Sequence, residues 1–330
     1  MPAQASLACK SLPGRATISR MSLPAAPPSH PPVWVHARGE LGLEVPRVMA
    51  VVNLTPDSFF DGGNLLPPGG EDPNAGMAVR LCRGLVQQGA DILDLGGEST
   101  RPGSEPVAPG LELRRVLPVL RRLQADPELA EIPISVDTRN AEVAAAAMAA
   151  GAAIINDISG LADPAMAEVA ARTGAGLVIG HLRGEPTTMQ QGIHFTDLLA
   201  EIADELIAVV ERALRAGVAN ERLIVDPGVG FGKTLEQSAA LVAASAFLAR
   251  ETGCPVLIGA SRKAFLGAIT GRPVGERLIG SVAAAVVAVE RGASIVRVHD
   301  VAATAEALRV AAAVRRAYRA VSEGPRGRPA

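Results

Sequence analysis

Residues 92–103 read Ile92-Leu-Asp-Leu-Gly-Gly-Glu-Ser-Thr-Arg-Pro-Gly103, a short apolar run that stops at two glycines and opens into polar side chains. Seven further runs, at 48–52, 134–136, 153–155, 177–179, 223–225, 256–258 and 295–298, also lead into polar residues. They lack regular polar alternation, as parallel strands buried on both faces do. Between them lie Ala-, Leu- and Arg-rich stretches of helical length, such as 141–150, 198–216 and 281–292. Eight β/α units in about 270 residues predict an α/β fold, a single (β/α)8 TIM barrel over 46–320, ahead of an open doubly wound sheet. Gly- and Pro-rich loops at 53–72 and 96–109 stretch the first two units, and long loops in a compact domain usually carry function.

Residues 1–45 are expected to form a flexible Pro-rich extension, since no acid precedes Glu40 and prolines crowd 24–32. No continuous apolar segment marks a secretory signal, and the leader reads as an extension rather than a transit peptide. Residues 321–330 read as a flexible tail. A net charge of −2 and 2% aromatic residues argue against a nucleic-acid or membrane partner. Cys9, Cys82 and Cys254 are too far apart for a disulfide framework or zinc site and fit a cytoplasmic protein. Only three of 32 basic residues are lysines: Lys10, Lys233 and Lys263. Against so strong an arginine bias, the last two mark places where a compact ammonium is wanted.

Barrel active sites are built at the carboxyl ends of strands. Here those ends carry Asn53, Thr100 and Arg101, Asp137, Asn156, His181, Asp226, Ser261-Arg262-Lys263, and Arg297 with His299. Asp137, Asn156 and Asp226 can pair with several N–H donors, as recognition of an amino-substituted heterocycle requires, and Lys263 offers them a cation. Arg297 and His299, two apart on one strand, point to one face and with Asn53 suit an anionic group, plausibly through a divalent cation. Ser261-Arg-Lys-Ala264 is expected to open a helix, with Ser261 as N-cap and the helix start receiving an anion. The segment 226–234 imitates a phosphate-binding loop but has Pro227 where the first glycine belongs, so its glycines are read as shaping the backbone around an aromatic ligand beside Phe231. His181 alone is more often structural than catalytic. Cys82 and Cys254 read as small core residues.

In order along 47–315, the motifs Val52-Asn-Leu-Thr-Pro-Asp-Ser-Phe59 with Asp61-Gly-Gly63, Asp94 to Gly103, Ser135-Val-Asp-Thr138, Ile155-Asn-Asp157, Asp226-Pro-Gly with Phe231-Gly-Lys233, Ser261-Arg-Lys263 and Arg297-Val-His-Asp300 resemble the dihydropteroate synthases of folate biosynthesis. The resemblance implies a transferase that condenses 6-hydroxymethyl-7,8-dihydropterin diphosphate with p-aminobenzoate, a sulfonamide-target class of enzyme, and a homodimer. It implies that Asp137, Asn156, Asp226 and Lys263 grip the pterin, and that Thr100, Arg297 and His299 hold the diphosphate. Asn53 would hold Mg²⁺. Pro102, Phe231, Ser261 and Arg262 would receive p-aminobenzoate, and the loops bearing Asp61 and Arg101 would close over the site. Ala264 departs from the pattern, which often has a hydroxyl there. The competing readings are a pterin-dependent methyltransferase of the same barrel family and a non-catalytic pterin-binding paralogue.

Overall fold

The computed structural model describes residues 33–55, 73–99 and 103–322. After an antiparallel hairpin, β1 (Val33–His36) and β2 (Gly39–Gly42), come eight parallel strands. These are β3 (Arg47–Asn53), β4 (Ile92–Gly96), β5 (Ile134–Asp137), β6 (Ile154–Asp157), β7 (Gly176–Gly180), β8 (Leu223–Asp226), β9 (Leu257–Ile258) and β10 (Ile295–Val298). The helices are α1 (Ala75–Gln87), α2 (Pro109–Gln124), α3 (Ala141–Ala149), α4 (Met166–Thr173), α5 (Leu198–Arg215), α6 (Leu235–Val242), α7 (Ser245–Thr252), α8 (Ala264–Thr270), α9 (Leu278–Glu290) and α10 (Val301–Ser322). Each strand from β3 to β8 pairs with the next, and β10 pairs with both β3 and β9. A parallel bridge between Val225 and Val256 closes the ring, so the predicted (β/α)8 barrel forms.

Helix starts follow from local chemistry. Asn74, Asn140 and Asp197 accept backbone N–H bonds at the starts of α1, α3 and α5. Thr234 and Gln237 form a capping box that begins α6 immediately after Lys233. The main core lies between strands and helices and is almost wholly aliphatic. A second cluster fills the barrel's amino-terminal end with Met49, Ile92, Ile154, Val178, Ile224, Leu257 and Ile295.

The reading of 1–45 as a flexible extension stops at residue 33. Trp34, in β1, is fully buried against the inner cluster, and its indole Nε1 donates to the Arg222 carbonyl at 2.9 Å. One large ring thus plugs a barrel floor built from aliphatic side chains, which a Pro-rich compositional reading of the segment could not foresee. Residues 1–32 and 323–330 lie outside the described residues.

Trp34→Ala should therefore cost about 3–5 kcal/mol of stability, as large buried side chains do when truncated. Equilibrium urea unfolding checks it; a loss within about 0.5 kcal/mol, the range of ordinary surface substitutions, would show that the hairpin is not part of the folded core.

Candidate active site

The two-residue period of a strand builds the site from the floor up. Two positions beyond Ile92, Ile154, Ile224 and Ile295 stand Asp94, Asn156, Asp226 and Arg297. Two beyond Val178 and Leu257 stand Gly180 and Gly259, and a Cβ at Gly180 would lie 2.6 Å from the Ile158 Cα, so the end of β7 packs directly on the chain leaving β6. The inward face that is apolar below thus becomes largely polar above, with Val51, two beyond Met49, the apolar exception. A cavity of about 630 Å³ opens there, lined among others by Asn53, Asp137, Phe231, Lys263, Arg297 and His299.

Arg297 ties this layer together. Its Nε donates to Asp94 Oδ2 at 2.6 Å and its Nη2 to Asp137 Oδ2 at 2.7 Å, joining β10 to β4 and β5. Asn156 Nδ2 also donates to Asp94 Oδ2, at 3.2 Å. The other oxygens, Asp94 Oδ1 and Asp137 Oδ1, are buried with no hydrogen-bond partner among the described residues. Burial pushes Asp137 from the usual 3.8 up to about 7, with Asp94 and Glu98 adding to the rise and Arg297 and Lys263 opposing it. Asp226 is also raised by burial, against a bond from the Gly228 N–H and the nearby Lys263. For Arg297, burial opposes the charge but Asp94 and Asp137 more than offset it, so the guanidinium stays ionised.

At the rim, the Lys263 Nζ lies 3.8 Å from the centroid of the Phe231 ring, a cation–π contact. Burial brings Lys263 down to about 8, with Asp226 resisting. Ser261 does not cap a helix, as α8 begins only at Ala264, behind Lys263. Its Oγ accepts from the His299 backbone N–H and lies 3.1 Å from His299 Nδ1. Burial, then Arg297 and Arg262, hold His299 at about 3. An imidazole so depressed is neutral beside Arg297 and carries a single N–H.

Arg262, expected to receive a carboxylate, makes a two-pronged ion pair with Asp300 at 2.7 and 3.0 Å. Its backbone has φ +58°, the left-handed region, and is held there by Ser281 Oγ on its N–H and by Arg277 on its carbonyl. The structure thus brings Asn53, Asp137, Phe231, Ser261, Arg262, Lys263, Arg297 and His299 around one cavity, while Asn156, bonded to Asp94, and Asp226, bonded to the Gly228 N–H, stand on the neighbouring strand ends outside its lining. Asp61, Thr100, Arg101 and Pro102 lie outside the described residues.

Two residues went unassigned in the sequence. Asp94 is an acid inside an apolar run, and that inward position was the available signal. Glu98 takes two bonds from Arg139 and one from the Val107 N–H, which fixes the base of the loop after β4. Nothing local in the sequence pairs it with Arg139, 41 residues away. For a metal, no group of three or more His, Cys, Asp or Glu suited to hold an ion occurs among the described residues. An amide oxygen such as that of Asn53 fits Mg²⁺ only if a ligand supplies most of the oxygens.

The pterin binding enzyme family matches residues 49–299. The dihydropteroate synthase of Neisseria meningitidis serogroup B is 45% identical over 283 residues, covering 84% of this chain and 96% of the relative. That of Escherichia coli is 42% identical over 270 residues, covering 82% and 92%. Among solved structures, the Yersinia pestis dihydropteroate synthase with a sulfonamide drug complex superposes with a TM-score of 0.80 at 38% identity, covering 86% of this chain and 99% of that one. The Burkholderia cenocepacia enzyme complexed with 7,8-dihydropteroate gives 0.76 at 42%, covering 88% and 99%.

The raised carboxyl has a measurable consequence. A folded-state value above the unfolded one means the native state holds the extra proton, so Asp137 costs stability progressively as pH rises from about 4 to about 7. Asp137→Asn cannot titrate, so the stability difference between variant and wild type should move in the variant's favour across that window. Urea unfolding at several pH values tests it, and parallel curves for the two proteins would refute it.

Proposed function

The chain belongs to the pterin binding enzymes and, within them, to the dihydropteroate synthases, and from that premise we propose how its residues divide the reaction. It is a transferase of folate biosynthesis that condenses 6-hydroxymethyl-7,8-dihydropterin diphosphate with p-aminobenzoate, releasing diphosphate and 7,8-dihydropteroate. The observation that carries the division of roles is the pair of buried carboxylate oxygens without partners among the described residues, one on Asp137 in the cavity lining and one on Asp94, which shares Arg297 with it. Oxygens so placed demand N–H donors, and the edge of an aminopterin supplies them. Asn156 and Asp226 complete that wall, and Lys263 adds the cation.

The diphosphate is assigned to Arg297, which also bridges Asp94 and Asp137, together with His299 and Thr100. Mg²⁺, when bound, would lower the charge of the leaving group, with Asn53 contributing an amide oxygen. The C–O bond to diphosphate breaks with its electron pair leaving on oxygen. The pterin methylene is left electron-poor, where the carboxylates of Asp137 and Asp226 favour it. The neutral arylamine of p-aminobenzoate forms the C–N bond and then sheds a proton. No protein nucleophile takes part. Phe231 and Pro102 flank the arylamine ring. Ser261 and Arg262 lie on the carboxylate side, where an incoming anion competes with Asp300 for the guanidinium. The loops bearing Asp61 and Arg101 close over the reacting atoms and exclude water.

We place the enzyme in the cytoplasm, in keeping with its buried free thiols Cys82 and Cys254. No helix among the described residues is long and apolar enough to cross a membrane. We also infer a homodimer. Val310, Val314, Tyr318 and Val321 form an exposed stripe on α10, and Ile279 of α9 is 84% exposed. A second copy would bury this surface. The double variant Ile279→Glu, Val314→Glu should run as a monomer in light scattering, and an unchanged mass would place the interface elsewhere.

The reaction itself is tested by diphosphate release. Release should require both substrates and Mg²⁺, and Arg297→Ala should lower kcat/KM by about 100-fold or more, the scale of losing an aligned charge at a developing anion. No release by the pure protein would overturn the reading, and unchanged kinetics in the variant would put the diphosphate away from Arg297.

A further inference from the structure

Lys233 is the lysine that the roles above do not use, and it is 3% exposed. It lies at the end of a loop whose three glycines, Gly228, Gly230 and Gly232, all have positive φ, between +60° and +80°. A segment with that freedom keeps one shape only where it is anchored. Three anchors are present. Asp226 Oδ1 accepts from the Gly228 N–H at 2.8 Å, and Gln190 Nε2 donates to the Gly230 carbonyl at 2.9 Å. The third is the Lys233 Nζ, which donates to the Phe231 carbonyl at 2.7 Å.

The Lys233 amine is itself held, and burial brings it down to about 7, with Asp226 resisting. Its Nζ is 3.0 Å from Nδ1 of buried His181, whose Nε2 is 2.9 Å from Glu205 Oε2. The His181 bond, against burial and with help from Arg183, holds Glu205 down to about 2, so the carboxylate accepts and Nε2 carries the proton. Nδ1 is then an acceptor for Lys233, and the chain Glu205–His181–Lys233 has a single direction. Arg183 bonds Glu201 and Glu205 and stacks 3.9 Å from the Phe195 ring, which fixes the far end on α5. His181 is fixed at its backbone too, where its N–H donates to the Asp226 carbonyl. The space is tight, as a Cβ on Gly228 would lie 2.0 Å from the His181 carbonyl oxygen.

We propose that Lys233, aimed by His181 and Glu205, is a positioning residue that holds the Phe231 carbonyl, and so holds the Phe231 ring against Lys263 as one wall of the arylamine site. It makes no contact with the reacting atoms. Its work is to convert a glycine-rich loop into a rigid edge, so its loss should weaken capture of the flat second substrate and leave the pterin wall, built on other strands, in place. The inference rests on the p-aminobenzoate role given to Phe231 above.

The test uses Lys233→Met together with two replacements of His181. An asparagine oxygen falls near the position of Nδ1 and accepts from Lys233, whereas a glutamine reaches only the Nε2 position toward Glu205. In steady-state assays of diphosphate release, Lys233→Met should raise KM for p-aminobenzoate about tenfold or more, the scale of one lost charge-assisted hydrogen bond, with KM for the pterin diphosphate within about twofold. His181→Asn should stay close to wild type and His181→Gln should follow Lys233→Met. Equal rises in both KM values, no rise in either, or identical behaviour of the two His181 variants would overturn the positioning role. If Lys233→Met does not fold, the His181 pair decides alone. A wild type without turnover would instead overturn the reaction assignment, a result distinct from any of these.

Discussion

Two carboxylates within a closed barrel would repel each other and resist burial, and the Arg297 guanidinium between Asp94 and Asp137 is what lets them stand there. The arrangement satisfies one oxygen of each acid and leaves the other oxygen of each unpartnered among the described residues. That asymmetry is the basis of the site. A fully paired network would be inert scaffold, and an unpaired one would drive its acids neutral. Because β10 supplies the cation while β4 and β5 supply the acids, the same contact reaches past β3 and ties together strands that do not pair with β10.

The height of this layer is set by packing rather than by charge. Trp34 and the isoleucines two residues below the polar positions seal the floor, so the charged layer cannot sink, and Gly259, beside Asp226 and Arg297, adds no side chain to that layer. The protein accepts a stability cost here. Asp137, Asp226, Lys263 and His299 are all moved toward their neutral forms by burial, which is the signature of groups kept for a ligand rather than for folding.

The barrel was legible because eight unalternating apolar runs separated by helical stretches have few other solutions, and the ring of polar strand ends followed from the two-residue period. What sequence could not supply was pairing across the ring. The anion role read for Arg297 gives no hint of its ion pairs to Asp94 and Asp137, 203 and 160 positions away. The protonation of His299 is set by burial and by Arg297 and Arg262, and its local sequence reveals neither the burial nor Arg262. The reading of Ser261 as an N-cap failed because local propensity lost to its tertiary bond with His299. The hairpin was hidden by its own neighbourhood, since composition averaged over 1–45 masks one tryptophan that counts for more than the prolines around it.

The scarcity of lysine finds its explanation in the same geometry. A guanidinium presents five donors in a plane, which suits Arg297 between two carboxylates and Arg262 against Asp300. The space around the Lys233 Nζ offers one carbonyl and one imidazole nitrogen, and that around the Lys263 Nζ offers the face of a ring. A fork placed in either would bury donors with nothing to receive them, at a cost of about 1–3 kcal/mol each. In a chain that uses arginine for almost every other cation, the two lysines remain where a compact charge is the only one that fits. Both border the cavity, one against the face of the Phe231 ring and the other against the Phe231 carbonyl, so the same aromatic residue is held from two sides.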